Sequence, residues 1–328
     1  MARKEKKPIA DLPWIKYDPN MDEAAARLVT TLRNKKNSRK KTKVSEKEES
    51  QLQRDFKLAE QAQSKADRYM YKIAVALGLD PAVAVDRADM KDWERALDKK
   101  FNSVGRNLHD LGRGTIYLDD VQQYHAFKKL LNAKTKTGVI NSLGIKSVRI
   151  LEGSIDDYLA SPRSSGFAGS FNMDLEIDVA HGKKAMFEVQ IRPAAYKEVD
   201  KQSHLLFDMI RVLQDVPESY LTKEDKKIEE ALVLANKALF VEQAHRSGFV
   251  EILPKGLQKM KISEEDYNAA HEVLDRLRSK IESVGGRPFT GQKATTEALS
   301  IAKTSLDNIY RAQGRWTAKP TTYEAEAD

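Results

Sequence analysis

The chain contains no cysteine, which excludes disulfides and thiolate chemistry before any motif is read. No apolar run approaches the length of a membrane span. The opening Met1-Ala2-Arg3-Lys4-Glu5-Lys6-Lys7 is basic but leads into no apolar segment, which argues against a secretory signal peptide. No internal repeat is visible. These absences give no membrane association and a cytoplasmic site of action as the expectation, with delivery into another cell left open.

Charge and core-forming residues are what the chain has in quantity. Of its 328 residues 32% are charged and 41% hydrophobic, enough for long solvated helices around a sizeable core. The net charge of +7 favours anionic partners such as nucleotides or RNA without choosing between them. The stretch Arg33-Asn34-Lys35-Lys36-Asn37-Ser38-Arg39-Lys40-Lys41-Thr42-Lys43 is basic with no acid. It reads either as a solvated linker or as a contact to a phosphate backbone.

Hydrophobic period and punctuation give a coarse map. Residues 1–20 look irregular. Helices are expected over Met21–Leu32, from Ser45 to about Leu77, and over Lys91–Phe101. Strand signals follow at Gly114–Leu118 and Lys146–Leu151, with a helix between them capped by Asp119-Asp120 and running to about Leu131. Asn172–Val179 alternates, placing Met173, Leu175, Ile177 and Val179 on one face. His181-Gly182-Lys183 turns the chain into a strand over Ala185–Arg192, which Pro193 ends. Helix is expected over Ala194–Leu213, then over 222–246, 263–284 and 293–313. The tail from Thr317 has a disordered composition. The predicted fold class is α+β: a small mixed β-sheet with flanking helices plus helical N- and C-terminal extensions. The predicted division is a helical, basic arm over 1–67, a catalytic domain over 68–216 and a helical extension over 217–328.

Two segments carry the chemistry. Asp157-Tyr158-Leu159-Ala160-Ser161-Pro162-Arg163-Ser164-Ser165-Gly166-Phe167 reads as a loop presenting a basic side chain and an aromatic ring. In Glu188-Val189-Gln190-Ile191-Arg192 strand alternation puts Glu188, Gln190 and Arg192 on one side, with Phe187, Val189 and Ile191 toward the core. A ring for a base, cations for phosphates and a carboxylate for Mg2+ are what a nucleotide site needs. A carboxylate in so apolar a strand is costly unless it meets a cation or metal, which singles out Glu188.

The order and spacing of these segments resemble the synthetase domain of RelA/SpoT-type alarmone synthetases over roughly residues 85–215. That family's loop D-Y-[IL]-x-x-P-K-x-N-G-Y is matched without a gap by Asp157-Tyr158 through Pro162-Arg163 to Gly166-Phe167. Its E-[VI]-Q-[IL]-R stands intact as Glu188 to Arg192. His204 follows on the next helix, and His109-Asp110-Leu111 precedes the first good strand as the family's Asp does. Several positions depart from the pattern: the Arg of D-x-x-G-x-R stands at 113, the His of G-Y-x-S-x-H is lost, and Phe167 replaces a Tyr. The ATP-side motif survives loosely as Arg87 and Lys91, with Arg95 or Lys99 beyond. No HD-type hydrolase signature accompanies them, so the resemblance is to a synthetase-only form, a group that includes toxic members.

The resemblance implies a nucleotidyltransferase-like fold and a pyrophosphokinase that moves the β,γ-pyrophosphate of ATP to a ribose 3′-hydroxyl. It implies Asp110 and Glu188 as the Mg2+ pair, with Glu188 also drawing the proton from the attacking hydroxyl. Arg87, Lys91 and Arg113 would meet adenine or phosphates, and Arg163 the acceptor phosphates. Phe167 would stack the acceptor base, Gln190, His204 and Tyr158 would support the nucleotides, and Arg192 would hold the site by pairing with an acid. Plainer roles stand beside these: Asp110 as a turn cap, Arg192 as a rim charge, His204 as a buried structural histidine, and Phe167 as core. Asp174, Glu176 and Asp178 read as a solvated face or as partners of Lys183 and Lys184. Three readings stay open: a pyrophosphokinase on GDP, GTP or an adenine nucleotide, a toxin-type enzyme on the tRNA 3′ end with an antitoxin partner, and a binding module without catalysis.

Overall fold

The structure, a computed structural model, describes residues 18–37, 44–102, 108–132, 147–151, 153–179, 182–283, 289 and 291–313. The irregular arm through residue 17, the basic run from 38 onward, Lys146, His181 and the tail from Thr317 lie outside the described residues. The chain forms two compact units. One takes in Met1–Arg39, Pro162–Ala168 and Lys197–Asp328, the other Lys40–Ser161 and Gly169–Tyr196, each by way of its described residues. Among the described residues no helix is long and apolar enough to cross a membrane.

The second unit is built on a mixed sheet of β1 (Val85–Arg87), β2 (Gly112–Leu118), β3 (Val148–Ile150), β4 (Asp156–Asp157), β5 (Phe171–Asp178) and β6 (Lys184–Pro193). The order is β1-β2-β6-β5-β3, with β4 also on β5. Only β2 and β6 run parallel among these pairs, so the sheet is mixed as expected. Alternation holds along β6: Phe187, Val189 and Ile191 are fully buried while Glu188, Gln190 and Arg192 are only partly so. The long helix α2 (Glu46–Ala76) packs against β2 and β6 through Ala62, Ala66, Met70 and Ile73. Its closest approach is at Gly114, where an added Cβ would lie 2.4 Å from Met70 Cε, so a residue without a side chain suits the crossing. Ser45 and Glu48 close a reciprocal capping box at the start of α2.

Several elements differ from the sequence expectation for local reasons. Asp80 and Pro81 start a single turn, α3 (Pro81–Ala84), followed at once by β1, too short to show a period. The helix expected over Lys91–Phe101 is α4 (Trp93–Leu97) continued by a π-helical turn over Asp98–Asn102. A satellite core of Leu52, Ala59, Ala96, Leu97 and Leu111, with Phe56 and Trp93 against it, ties this segment to α2. Beyond β2, α5 (Val121–Asn132) sets Phe127 edge-on to Phe171, ring centroids 5.1 Å apart, on the same sheet face that α2 covers.

The first unit is helical: α1 (Pro19–Asn37), α6 (Lys197–Gln214), α7 (Lys223–Ser247), the short α8 (Lys255–Gln258), α9 (Glu264–Ser283) and α10 (Gln292–Ala312). α1 continues through the first residues of the basic run, where Lys35 pairs with Asp215 at 3.0 Å, so that stretch is helix end rather than linker. α7 packs against α1, α6, α9 and α10 and is buried on most sides from Ala231 to Ala244, as a central helix must be. Arg276 is fully buried and held by Asp22 at 2.6 Å and Glu272 at 2.7 Å, with Lys280 also on Asp22 at 3.2 Å.

Candidate active site

The polar face of the sheet unit gathers three carboxylates. Asp110 lies in the turn that enters β2, and register places Glu188 beside Arg113 on one side and Asp174 on the other. Lys91 meets Asp110 at 2.6 Å and Lys99 meets it at 2.8 Å. The backbone N–H of Lys91 donates to the Leu111 carbonyl at 2.9 Å, which fixes the lysine segment along the strand entry. Asp110 is thus more than a turn cap, since its two oxygens are taken by ammonium groups from elsewhere in the chain.

The three acids differ in their electrostatics. Burial opposes the charged form of Asp110, but the two lysines outweigh it and hold the carboxyl below its usual range. Burial raises Glu188, and the charges of Asp110 and Asp174 raise it further, while Gln190 and Arg113 pull the other way. Burial also raises Asp174 against the pull of His109, whose Nδ1 lies 2.8 Å from Asp174 Oδ2. The result is a cluster of three carboxylates met by Lys91, Lys99 and Arg113, with His109 on Asp174.

This corrects the sequence reading of the acidic strand. Glu176 does find Lys184 and Arg149, but Asp174 is neither solvated nor on a lysine. It takes His109 and faces Glu188 across the strands. His109 and Asp174 were missed because only register brings them together. The signal available was the alternation of β5, which put Asp174 on the same side as Glu176 without saying what lay opposite.

Other predicted residues of this unit are placed as follows. Gln190 donates through Nε2 to Glu188 Oε1, so it orients the carboxylate. Arg113 is exposed on the polar face; its two-residue displacement from the family position keeps the face, because strand side chains repeat every second residue. Arg192 is half-buried near the end of β6, opposite Tyr117. Tyr158 turns back to donate to Asp156 at 2.7 Å. Arg87 is not with the acids: it pairs with Asp67 of α2 at 3.7 Å, on the face of the sheet that α2 covers. Asp157, which opens the loop motif, anchors α5 by accepting from Tyr124 at 2.7 Å and Lys128 at 2.8 Å.

The helical unit holds the rest of the loop as a second cluster. Arg163 N donates to the Phe167 carbonyl at 3.0 Å and Gly166 N to the Arg163 carbonyl at 2.8 Å, closing a tight turn with Gly166 at φ 83°. The Arg163 guanidinium lies 5.7 Å from the Phe167 ring, and the His204 ring 6.4 Å from it. Phe167 stands edge-on to Phe240, centroids 5.4 Å apart, and stays partly exposed rather than entering the core. His204 is exposed and lies 3.5 Å from Asp200, so it is not the buried structural histidine its apolar neighbours suggested.

Among the described residues no set of three or more His, Cys, Asp or Glu forms a ready-made metal cage. Mg2+ asks for less: one or two carboxylates, with phosphates and water completing its shell. An all-oxygen donor set in which burial, and after it the charges of Asp110 and Asp174, raises Glu188 suits such a cation.

The chain matches no protein-family model and no curated protein. Among solved structures it is similar to the small alarmone synthetase 2 of Bacillus subtilis, with 16% identity, 61% of this chain and 97% of that chain covered, and a TM-score of 0.42. That identity and score are too low to carry an argument about function.

Proposed function

We propose that this protein is an ATP-dependent nucleotide 3′-pyrophosphokinase. The observation that carries the reading is the pairing of unlike carboxylates: Asp110 kept charged by Lys91 and Lys99, and Glu188 raised by burial beside it. Two neighbouring acids pushed apart in this way suit a division of labour, one holding charge and the other accepting a proton. The motif order in the sequence, not the fold alone, points to pyrophosphoryl transfer.

Lys91, Lys99 and Arg113 would bind the ATP phosphates and spread their charge. Asp110 and Glu188 would hold Mg2+, which supplies further neutralisation of the transferring group when bound. Glu188, steered by Gln190, takes the proton of the acceptor 3′-hydroxyl. That oxygen bonds to the β-phosphorus, the bridging bond between the α- and β-phosphates breaks, and AMP leaves. Arg163 would meet the acceptor phosphates, Phe167 would stack its base, and His204 would support it.

The test is γ-32P-ATP with Mg2+ and, in parallel, GDP, GTP, AMP, ADP, ATP or deacylated tRNA. The expected result is label on one acceptor with an equal amount of AMP, falling roughly 10²–10⁴-fold in Glu188→Ala. ADP in place of AMP, or no label on any acceptor, would sink the reading. Label on the tRNA alone would move the acceptor class to RNA.

A further inference from the structure

α7 lies beyond the segment that carries the motifs, yet it forms the seat of the turn that presents Arg163 and Phe167. Three successive positions along one helix face make the contact. An added Cβ at Gly166 would lie 2.8 Å from the Val233 carbonyl oxygen and 3.0 Å from Lys237 N, so the turn rests on the backbone of α7 itself. One turn further, Phe240 meets the Phe167 ring. Between them Asn236, 0% exposed, donates through Nδ2 to the Ser165 carbonyl at 2.8 Å.

Packing alone does not account for an amide there. Asn236 Oδ1 and the Ser165 hydroxyl are both buried without a hydrogen-bond partner among the described residues. A buried, unsatisfied polar atom costs about 1–3 kcal/mol, and an apolar side chain of the same volume would avoid that cost. What the amide adds is direction. The bond to Ser165 selects one setting of the turn along the helix, and the neighbouring Arg163 and Phe167 inherit it.

We infer that Asn236 is a positioning residue for the turn over 163–167, and that α7 thereby sets affinity for the acceptor nucleotide. The second clause rests on the reading of Arg163 and Phe167 given above; the first does not. The bond is between a helix and a turn of the same compact unit, so its loss frees the turn without removing a core contact.

Asn236→Leu removes the bond and keeps the branched shape and heavy-atom count of the side chain. Trypsin is expected to cut after Arg163 about tenfold faster in this variant, with cleavage elsewhere and the melting temperature unchanged. In the transfer assay the acceptor KM is expected to rise about tenfold, with kcat and the KM for ATP within about twofold. Gly166→Ala, which lifts the turn from the other side, should give the same pattern and covers the case in which Asn236→Leu folds poorly. Unchanged cleavage after Arg163 in both variants would overturn the inference. So would a fall in all kinetic constants in step with the melting temperature. Absence of transfer by the unaltered chain would remove the acceptor clause alone, and the cleavage pattern would still decide the part played by Asn236.

Discussion

Glu188 is held in a place that suits chemistry better than stability: partly buried, in a strand, and facing two other carboxylates. Replacing it with Gln keeps the shape and relieves the like-charge repulsion. In buffer at neutral pH without Mg2+, Glu188→Gln is expected to melt about 2–4 °C higher than the unaltered chain while losing transfer activity. A lower melting temperature would mean that the carboxylate stabilises the fold instead. Glu188 stood out in the sequence because a lone acid in Met186-Phe187-Glu188-Val189 has few bland explanations. The surroundings were not legible. Lys99 and Lys91 stand eleven and nineteen residues from Asp110, and His109 stands 65 from Asp174. Those meetings depend on a π-helical turn and on strand register, neither of which leaves a local pattern. Arg87 shows the converse, since a residue that fits a motif in order was carried to the α2 face by the alternation of a three-residue strand.

At the scale of elements, α7 is fixed at its start by Thr222 and Asp225, which exchange backbone and side-chain bonds in a capping box, with Arg27 of α1 on Asp225 at 3.3 Å. Thr222→Ala is expected to cost about 1 kcal/mol in urea unfolding. Burial works against the charge of Asp225, but its bonds to Thr222 and to Arg27 outweigh it and hold the carboxyl below the usual carboxylate range. The sign follows: the contribution is fully present above the ordinary carboxyl range and is lost as pH falls through the lowered folded value. Asp225→Asn should therefore be less stable than the unaltered chain at neutral pH, with the gap closing as pH falls through the lowered folded value. A gap that persisted into acid would assign the effect to packing. The strands β2, β5 and β6 were legible from alternation and the helices α2, α7, α9 and α10 from period and caps. α3 and β1 were not, because four and three residues are too few to carry a period.

For the molecule as a whole, α+β with a small mixed sheet was readable from the order of strand and helix signals, but the grouping of helices was not. Contacts such as Arg27 to Asp225 and Arg276 to Asp22 span 198 and 254 residues, and nothing local announces them. Truncation after residue 216 removes α7, α8, α9 and α10 and strips α1 of α7 and α9, leaving only α6 packed against it among the described helices. The amides of Pro19–Asn37 are then expected to lose their protection in hydrogen exchange, and retained protection would show that α1 folds without them. Arg276→Met tests the same long-range closure from within. It leaves Glu272 and part of Asp22 without their buried partner and is expected to cost about 3–5 kcal/mol in urea unfolding. The connectivity has a further consequence during synthesis. Met21, Ala24, Ala25, Leu28, Val29 and Leu32 are all nearly fully buried, by helices encoded near the other end of the chain. At roughly 5–20 residues per second a ribosome needs about 10–50 s to add the 254 residues between Asp22 and Arg276. For much of that interval, until α6 and α7 have followed, the first helix emerges as an uncovered amphipathic segment, a natural client for a nascent-chain chaperone.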